Sequence, residues 1–302
     1  MSQAVVRPKR LVDLFEKDLP AYPCWISSDI LPKGGLLLAG GFAKIGKTFI
    51  ALEYARALAT GANLFGCRDF RVDRPARVLY IEQELGERGF QKRIKPVFAQ
   101  ENRDLLEDNL FYVSKEPQMK FDSMEGRLLI LKAIEEVEPN VVIIDPMGKM
   151  HAGDENDAQH VEKLMNFTET IRKRFTSAGL AMVILHHFGK PPMAQRDKEV
   201  FDPLNQYNFR GSSKWFDAPD TIQTIQRLTN IPGKEWQAWD LKTRFITRHG
   251  EEPPDLFLSV NRDADLRVRF EKYAGAVPKL EAIGKLGSKT KEQKEAEQME
   301  LA

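Results

Sequence analysis

The sequence has few cysteines, no long apolar run and no excess of either charge. Its two cysteines, Cys24 and Cys67, fit no paired spacing for a metal site, so we expect small buried side chains in a reducing compartment. No apolar run approaches the roughly 20 residues of a membrane-spanning helix. The first ten residues lack the apolar core of a signal peptide. We therefore expect a cytoplasmic protein.

The charge balance excludes a strongly basic or acidic protein. Lysine and arginine number 45 and aspartate and glutamate 44, which gives a net charge of +1 for 302 residues. Any nucleic-acid surface must therefore be local. The length suits one large α/β domain with appendages. We predict an N-terminal segment over 1–34 that packs on the core or on a neighbouring subunit, a main domain over 35–275, and a charged tail over 276–302 that is helical or disordered.

A phosphate-binding loop is the most informative feature present. Residues 41–48 read GFAKIGKT, which is the GxxxxGK[ST] pattern, and they lie between an apolar run and a helical pattern. Backbone N–H groups and the helix N-terminus would cradle phosphates there, and Lys47 would reach the β- and γ-phosphates. The predicted nucleotide-binding residues are Gly41, Ala43, Lys44, Ile45, Gly46, Lys47, Thr48 and Phe49.

Apolar runs alternate with helical patterns from this loop to about residue 187, which indicates βαβ units. After about residue 218 the segments alternate apolar and polar residues instead. The predicted fold is α/β, with a mostly parallel central sheet flanked by helices and an antiparallel C-terminal extension. A short amphipathic helix is predicted over 10–19.

Acidic residues follow two of the predicted strands. Asp145 ends the run VVIID, at the sheet edge where ligands bind in α/β folds, so we expect Asp145 and the Thr48 hydroxyl to hold Mg²⁺. Glu82 and Glu84 end the strand after the P-loop helix, and either carboxylate would activate water as a general base. We expect both carboxylates on the same side of a strand that neighbours the P-loop strand. Glu82 could equally cap a helix.

Two histidines end the next apolar strand. His187 or His186 would contact the γ-phosphate or its water and relay hydrolysis to the loop behind. Metal binding by the pair is disfavoured, because adjacent strand residues face opposite sides.

The last group of candidate site residues consists of cationic side chains. Arg210 follows that loop, and Lys242 and Arg244 share one face of a later strand. An arginine from a neighbouring subunit could neutralise charge on the phosphates, and ordinary surface charge is the alternative.

These motifs together resemble a known family. The order of P-loop, strand-ending glutamate, aspartate strand and strand-ending histidine resembles the RecA-like ATPase core. YIEQE at 80–84, IID at 143–145, LHH at 185–187 and RGSS at 210–213 are similar to the hexameric RepA-type replicative helicases. The resemblance covers about residues 20–260.

The resemblance implies roles for individual residues. It implies that Glu84 rather than Glu82 is the general base, and that ATP and Mg²⁺ are bound. It also implies that Arg210 is an arginine finger, which reaches across a subunit interface to the phosphates bound by the neighbouring subunit. Lys242 and Arg244 resemble the paired fingers of related bacterial helicases, so the finger assignment stays open.

Two loops of such rings face a central pore, here about 147–158 and 189–209. The first carries Lys149 and His151 among acids, and the second carries cations and aromatic residues that suit single-stranded DNA, although acids dilute the charge. The second set is Lys190, Arg196, Lys198, Tyr207 and Phe209.

The resulting hypothesis is a cytoplasmic, ring-forming, ATP-driven motor on single-stranded DNA, specifically a replicative helicase of a plasmid, phage or mobile element. One alternative is a recombination or repair ATPase that does not unwind DNA. The other is a regulatory ATPase that switches a protein partner.

Overall fold

The computed structural model describes residues 9–18, 23–189, 202–228, 239–248, 250, 252–262 and 268–272. The predicted tail and the three cations of the second loop, Lys190, Arg196 and Lys198, lie outside the described residues.

The described part of the chain contains six α-helices and eleven strands. The helices are α1 Val12–Phe15, α2 Lys47–Thr60, α3 Gly86–Phe98, α4 Arg103–Asn109, α5 Met124–Val137 and α6 Ala158–Arg174. The strands are β1 Cys24–Ile26, β2 Leu31–Pro32, β3 Leu36–Gly41, β4 Val78–Glu82, β5 Leu110–Ser114, β6 Val141–Asp145, β7 Ala181–His187, β8 Thr221–Leu228, β9 Trp239–Thr247, β10 Leu256–Arg262 and β11 Val268–Lys272.

A nine-stranded sheet organises the molecule, in the order β11-β10-β9-β8-β3-β7-β6-β4-β5. The pairs from β8 through β5 are parallel, and those from β8 outward to β11 are antiparallel. The mostly parallel sheet with an antiparallel C-terminal extension is confirmed. One detail was wrong: β8 runs parallel to β3, so the antiparallel part begins at β9. The connection from β7 to β8 is long enough for the chain to cross over β3 and return parallel to it on the other side.

Both faces of the sheet are covered, which explains the uninterrupted apolar runs of its central strands. Leu37 and Ala39 of β3 pack into the cluster that contains α2, whereas Leu36 and Leu38 pack into the cluster that contains α5 and α6. Burial of each such leucine contributes roughly 1.5–3 kcal/mol. The P-loop strand is therefore held rigidly from both sides.

The N-terminal segment is less helical than the sequence indicated. The predicted helix over 10–19 is a single turn, α1, whose apolar side chains are exposed. Residues 24–32 form a small hairpin, and Trp25 in it is buried and donates an Nε1–H bond of 2.8 Å to the carbonyl of Gly179. This part of the segment packs on its own core. Contact with a neighbouring subunit stays a prediction.

The carboxyl ends of β3, β7, β6 and β4 meet at one edge of the sheet. That edge gathers the P-loop, the histidine pair, Asp145 and the glutamate pair. The strand of the glutamates does not neighbour the P-loop strand as expected, because β7 and β6 lie between β3 and β4. None of the described helices is long and apolar enough to cross a membrane.

Candidate active site

The P-loop joins β3 to α2 and has the backbone that its glycines predict. Gly46, just before α2, has φ of 95°, and Lys44 also lies in the left-handed region with φ of 63°. A Cβ on Gly41 would lie 2.1 Å from Ile45 Cδ1 and 2.6 Å from a backbone oxygen, so only glycine fits there. The exposed Ala43 and Lys44 form the rim of the loop.

Lys47 is folded back into the loop. Its ammonium donates to the carbonyls of Gly41 at 2.9 Å and Phe42 at 2.8 Å, and 7% of the residue is exposed. Burial lowers the pKa of Lys47 to about 8, and the nearby carboxylates of Asp145 and Glu84 oppose that shift. A buried cation that donates its hydrogen bonds to backbone carbonyls can exchange them for phosphate oxygens.

Asp145 ends β6 and is buried. Its carboxylate accepts the Tyr80 hydroxyl at 2.8 Å and lies beside the Thr48 hydroxyl. Burial raises the pKa of Asp145 to about 6, and the hydroxyls of Tyr80 and Thr48 oppose the shift. A carboxylate beside a hydroxyl is the hard-oxygen donor set that Mg²⁺ prefers, so the residues present fit that ion.

The two glutamates have different environments. The carboxylate of Glu82 is buried and accepts the N–H groups of Glu84 at 2.6 Å, of Leu85, and of Gly86 at 2.9 Å, together with the Ser114 hydroxyl at 2.8 Å. The strand ends at Glu82, so the expectation that both carboxylates point to one side was wrong. Glu84 lies in the turn beyond and is exposed. Glu82 therefore holds the turn that carries Glu84.

The two histidines at the end of β7 lie on opposite faces. His187 lines the same cavity as Lys47 and Glu84, and burial lowers its pKa. His186 is fully buried against Trp215, with ring centroids 4.5 Å apart, and its Nε2 lies 3.0 Å from the carbonyl oxygen of Arg210. Burial lowers the pKa of His186 to about 4.

One cavity of about 630 Å³ collects these groups. Its lining residues are Ala43, Lys44, Gly46, Lys47, Thr48, Phe49, Glu84, Lys92, Arg93, Asp145 and His187. Lys92 and Arg93, which α3 contributes, were not predicted from the sequence, and neither was Tyr80. The available signal was that α3 begins directly after Glu84, which places its first turns at the same sheet edge.

The three predicted finger cations do not line this cavity. Arg210 is 64% exposed in its side chain and pairs with Glu155, with Nε and Oε2 3.1 Å apart. Lys242 is buried and lies 2.6 Å from a carboxylate oxygen of Asp255. Arg244 pairs with Asp255 and Asp202, each at 2.8 Å. Each cation is therefore held by carboxylates of its own chain.

The two predicted pore loops differ in what they expose. Lys149 is exposed in the first loop, whereas His151 is buried. In the second, Tyr207 is 71% exposed, but Phe209 is buried against Phe188, with ring centroids 4.8 Å apart. The inclusion of Phe209 among DNA-stacking aromatics is therefore wrong, because its ring is part of the core.

The fold and the cavity define a class of protein. The P-loop lies at the carboxyl edge of a mostly parallel sheet, and a strand-ending aspartate lies beside the P-loop threonine. These features define the core of a RecA-like P-loop ATPase.

Comparison with known proteins gives the family. Residues 3–193 match the family model described as the AAA domain, and the chain belongs to that family. Among solved structures, the chain is similar to the flagellar accessory protein FlaH from Methanocaldococcus jannaschii, with a TM-score of 0.49 and 15% identity over 80% of this chain and 90% of that one. No curated protein matches the chain.

Proposed function

We propose that this chain is an ATP-hydrolysing, ring-forming motor on single-stranded DNA, and specifically a replicative helicase of a plasmid, phage or mobile element. The observation that carries the ATPase part is the cavity that brings Lys47, Asp145, Glu84 and His187 together. These are a phosphate-binding cation, a metal-binding carboxylate, a general base and a group that would sense the γ-phosphate.

Each residue has a defined task in this proposal. The P-loop N–H groups and Lys47 bind the phosphates. Thr48 and Asp145 would hold Mg²⁺, which when bound neutralises charge on the β- and γ-phosphates. Glu84 orients water and accepts its proton, and its exposed position at the cavity wall leaves room for that water.

The proposed ring of subunits is supported by the cations that lie outside the cavity. Arg210, Lys242 and Arg244 do not complete the site of their own chain, so a role at the phosphates requires a neighbouring subunit. Arg210 also donates its backbone N–H to the carbonyl of His187 at 2.9 Å. A movement of His187 on hydrolysis would therefore reach Arg210.

The proposed binding of single-stranded DNA is supported by the two predicted pore loops. Exposed Lys149 and Tyr207 offer a phosphate contact and a stacking surface. Glu155, an acid of the first loop, is paired with Arg210 and so repels a phosphate less than a free carboxylate would.

The test is the ATPase rate with and without single-stranded DNA, in the native protein and in Glu84→Gln. We expect DNA to stimulate turnover, and the variant to lose about 10²–10⁴-fold. Stimulated turnover followed by directional strand displacement supports the helicase. Stimulation without displacement favours the recombination or repair ATPase, and turnover indifferent to DNA favours the regulatory ATPase.

Subunit complementation tests the ring and the finger together. Arg210→Ala and Glu84→Gln should each be inactive, but their mixture should regain turnover, because an intact Glu84 site then meets an intact Arg210 of another subunit. Arg244→Ala or Lys242→Ala then takes the place of Arg210→Ala in the mixture with Glu84→Gln. The cation that acts at the phosphates is the one whose variant is inactive alone and regains turnover in the mixture. Failure of every mixture, with light scattering showing a monomer, would contradict the ring.

A further inference from the structure

A cluster of two histidines and an aspartate lies outside the nucleotide cavity. Asp122 precedes α5, His151 lies in the loop after β6, and His160 lies in the first turn of α6. One ligand atom from each residue lies within 4.8 Å of the others. Three separate segments of the chain therefore converge on one point.

The nitrogen spacing matches a tetrahedral metal site. His151 Nδ1 and His160 Nε2 are 3.3 Å apart. Two nitrogens bound to Zn²⁺ at about 2.0–2.1 Å lie about 3.3 Å apart along a tetrahedral edge. A hydrogen bond between the rings would give a similar distance, so the surrounding groups must distinguish the two cases.

The groups behind the cluster are those that orient metal ligands. His151 is buried, and its other nitrogen, Nε2, lies 3.4 Å from Oε1 of Glu155 and has no hydrogen-bond partner among the described residues. A carboxylate behind the far nitrogen of a histidine is the usual support of a metal-ligating imidazole. The Oδ2 atom of Asp122 accepts the N–H groups of Ala152 at 2.7 Å and Gly153 at 3.2 Å, which fixes the carboxylate beside the rings.

A glycine makes room for the third ligand. A Cβ on Gly153 would lie 2.3 Å from the ring of His160, so the imidazole rests directly on the backbone of the loop after β6. The side chain of His160 thus reaches His151 only because residue 153 has no Cβ.

We propose that Asp122, His151 and His160 bind one Zn²⁺ ion, with the fourth position open to water. Two imidazoles and a carboxylate are ligands that Zn²⁺ accepts in tetrahedral geometry. The ion would pin the loop after β6 to the start of α6 and to the segment before α5. It would thereby hold Glu155, the partner of Arg210. This inference does not rest on the proposed function.

The experiment measures zinc directly in the full-length protein. The protein is stripped with a chelator, titrated with Zn²⁺ against a chromophoric competitor in the absence of nucleotide, and analysed for metal content. We expect one tightly held Zn²⁺ per chain, a rise in the unfolding temperature on adding Zn²⁺, and a tetrahedral visible spectrum with Co²⁺.

The variants separate a metal site from a hydrogen-bonded histidine pair. Asp122→Asn and His160→Gln should each weaken Zn²⁺ binding at least about tenfold. Gly153→Ala should do the same while keeping all three ligands, because it displaces the His160 ring. Two controls should bind normally: His187→Asn removes an imidazole elsewhere, and Asp154→Asn removes an exposed carboxylate of the same loop.

Each variant is first checked by circular dichroism, and only a folded variant is titrated with Zn²⁺. Absence of stoichiometric zinc in the native protein would overturn the proposal. So would unchanged affinity in His160→Gln or Gly153→Ala. Because no readout depends on ATP turnover, failure here leaves the ATPase proposal intact, and the reverse also holds.

Discussion

Replacing Glu82 by glutamine should cost stability, whereas the same change at Glu84 should cost turnover. The side chain of Glu82 accepts four hydrogen bonds, three from consecutive backbone N–H groups and one from Ser114. Glutamine offers one oxygen and one NH₂ group in place of two equivalent oxygens. Ser114 can rotate to accept from the new amide, but the N–H of Gly86 then faces another donor.

The magnitude follows from that count. One buried N–H left without a partner costs about 1–3 kcal/mol, and the remaining bonds lose their charge assistance. We expect Glu82→Gln to lower the free energy of unfolding by about 2 kcal/mol or more. Glu84→Gln changes an exposed side chain and should stay within about 0.5 kcal/mol of the native protein.

Urea unfolding followed by circular dichroism, paired with ATPase rates, measures both effects. Glu84→Gln should lose about 10²–10⁴-fold in turnover. Glu82→Gln should keep a larger part, since its turn is loosened but the base is present. If Glu82→Gln abolishes turnover at native stability while Glu84→Gln remains active, then Glu82 is the base and the assignment of Glu84 is wrong.

Three further changes test other parts of the site. Tyr80→Phe removes the hydroxyl bond to Asp145 and should cost about 1 kcal/mol in urea unfolding and raise the Mg²⁺ concentration needed for half-maximal turnover. Gly40→Ala places a Cβ 2.1 Å from a phenylalanine ring and should cost about 1–3 kcal/mol, whereas Gly189→Ala, with 3.8 Å to its nearest neighbour, should be near neutral. The pKa of His186 is about 4 in the folded chain and about 6.5 in the unfolded chain, so only the unfolded chain gains a proton between these pH values. The free energy of unfolding should therefore fall as the pH drops through that window, by about 2 kcal/mol at pH 5. In His186→Asn the same pH change should lower the free energy of unfolding by less.

The parts of the site that the sequence predicted depend on local spacing. The glycines, Lys47 and Thr48 lie within eight residues, and their geometry is fixed by a single strand–loop–helix unit. Asp145 was predictable for a related reason, because a fully buried parallel strand reads as an apolar run with an acid at its ligand-facing end.

The parts that the sequence left open depend on tertiary contacts. Whether Glu82 or Glu84 faces the cavity depends on where β4 ends, and that is fixed by backbone N–H groups and Ser114 rather than by alternation. Phe209 has the composition of a stacking residue, but its place in the core depends on the closeness of Gly40, 169 positions earlier in the chain. Neither contact has a signature in the local sequence.

The candidate finger cations illustrate how burial can decide where spacing does not. Lys242 is buried beside Asp255, and separating a buried pair leaves an uncompensated charge and is strongly unfavourable. Arg210 is largely exposed, so the guanidinium itself is not desolvated when it exchanges Glu155 for a phosphate. The Glu155 carboxylate that it leaves is mostly buried, and His151 stays beside it. We infer that Arg210 moves to a neighbour's phosphates most readily. Because its backbone N–H is bonded to the carbonyl of His187, such an arginine would couple the nucleotide state of its own chain to hydrolysis in the next.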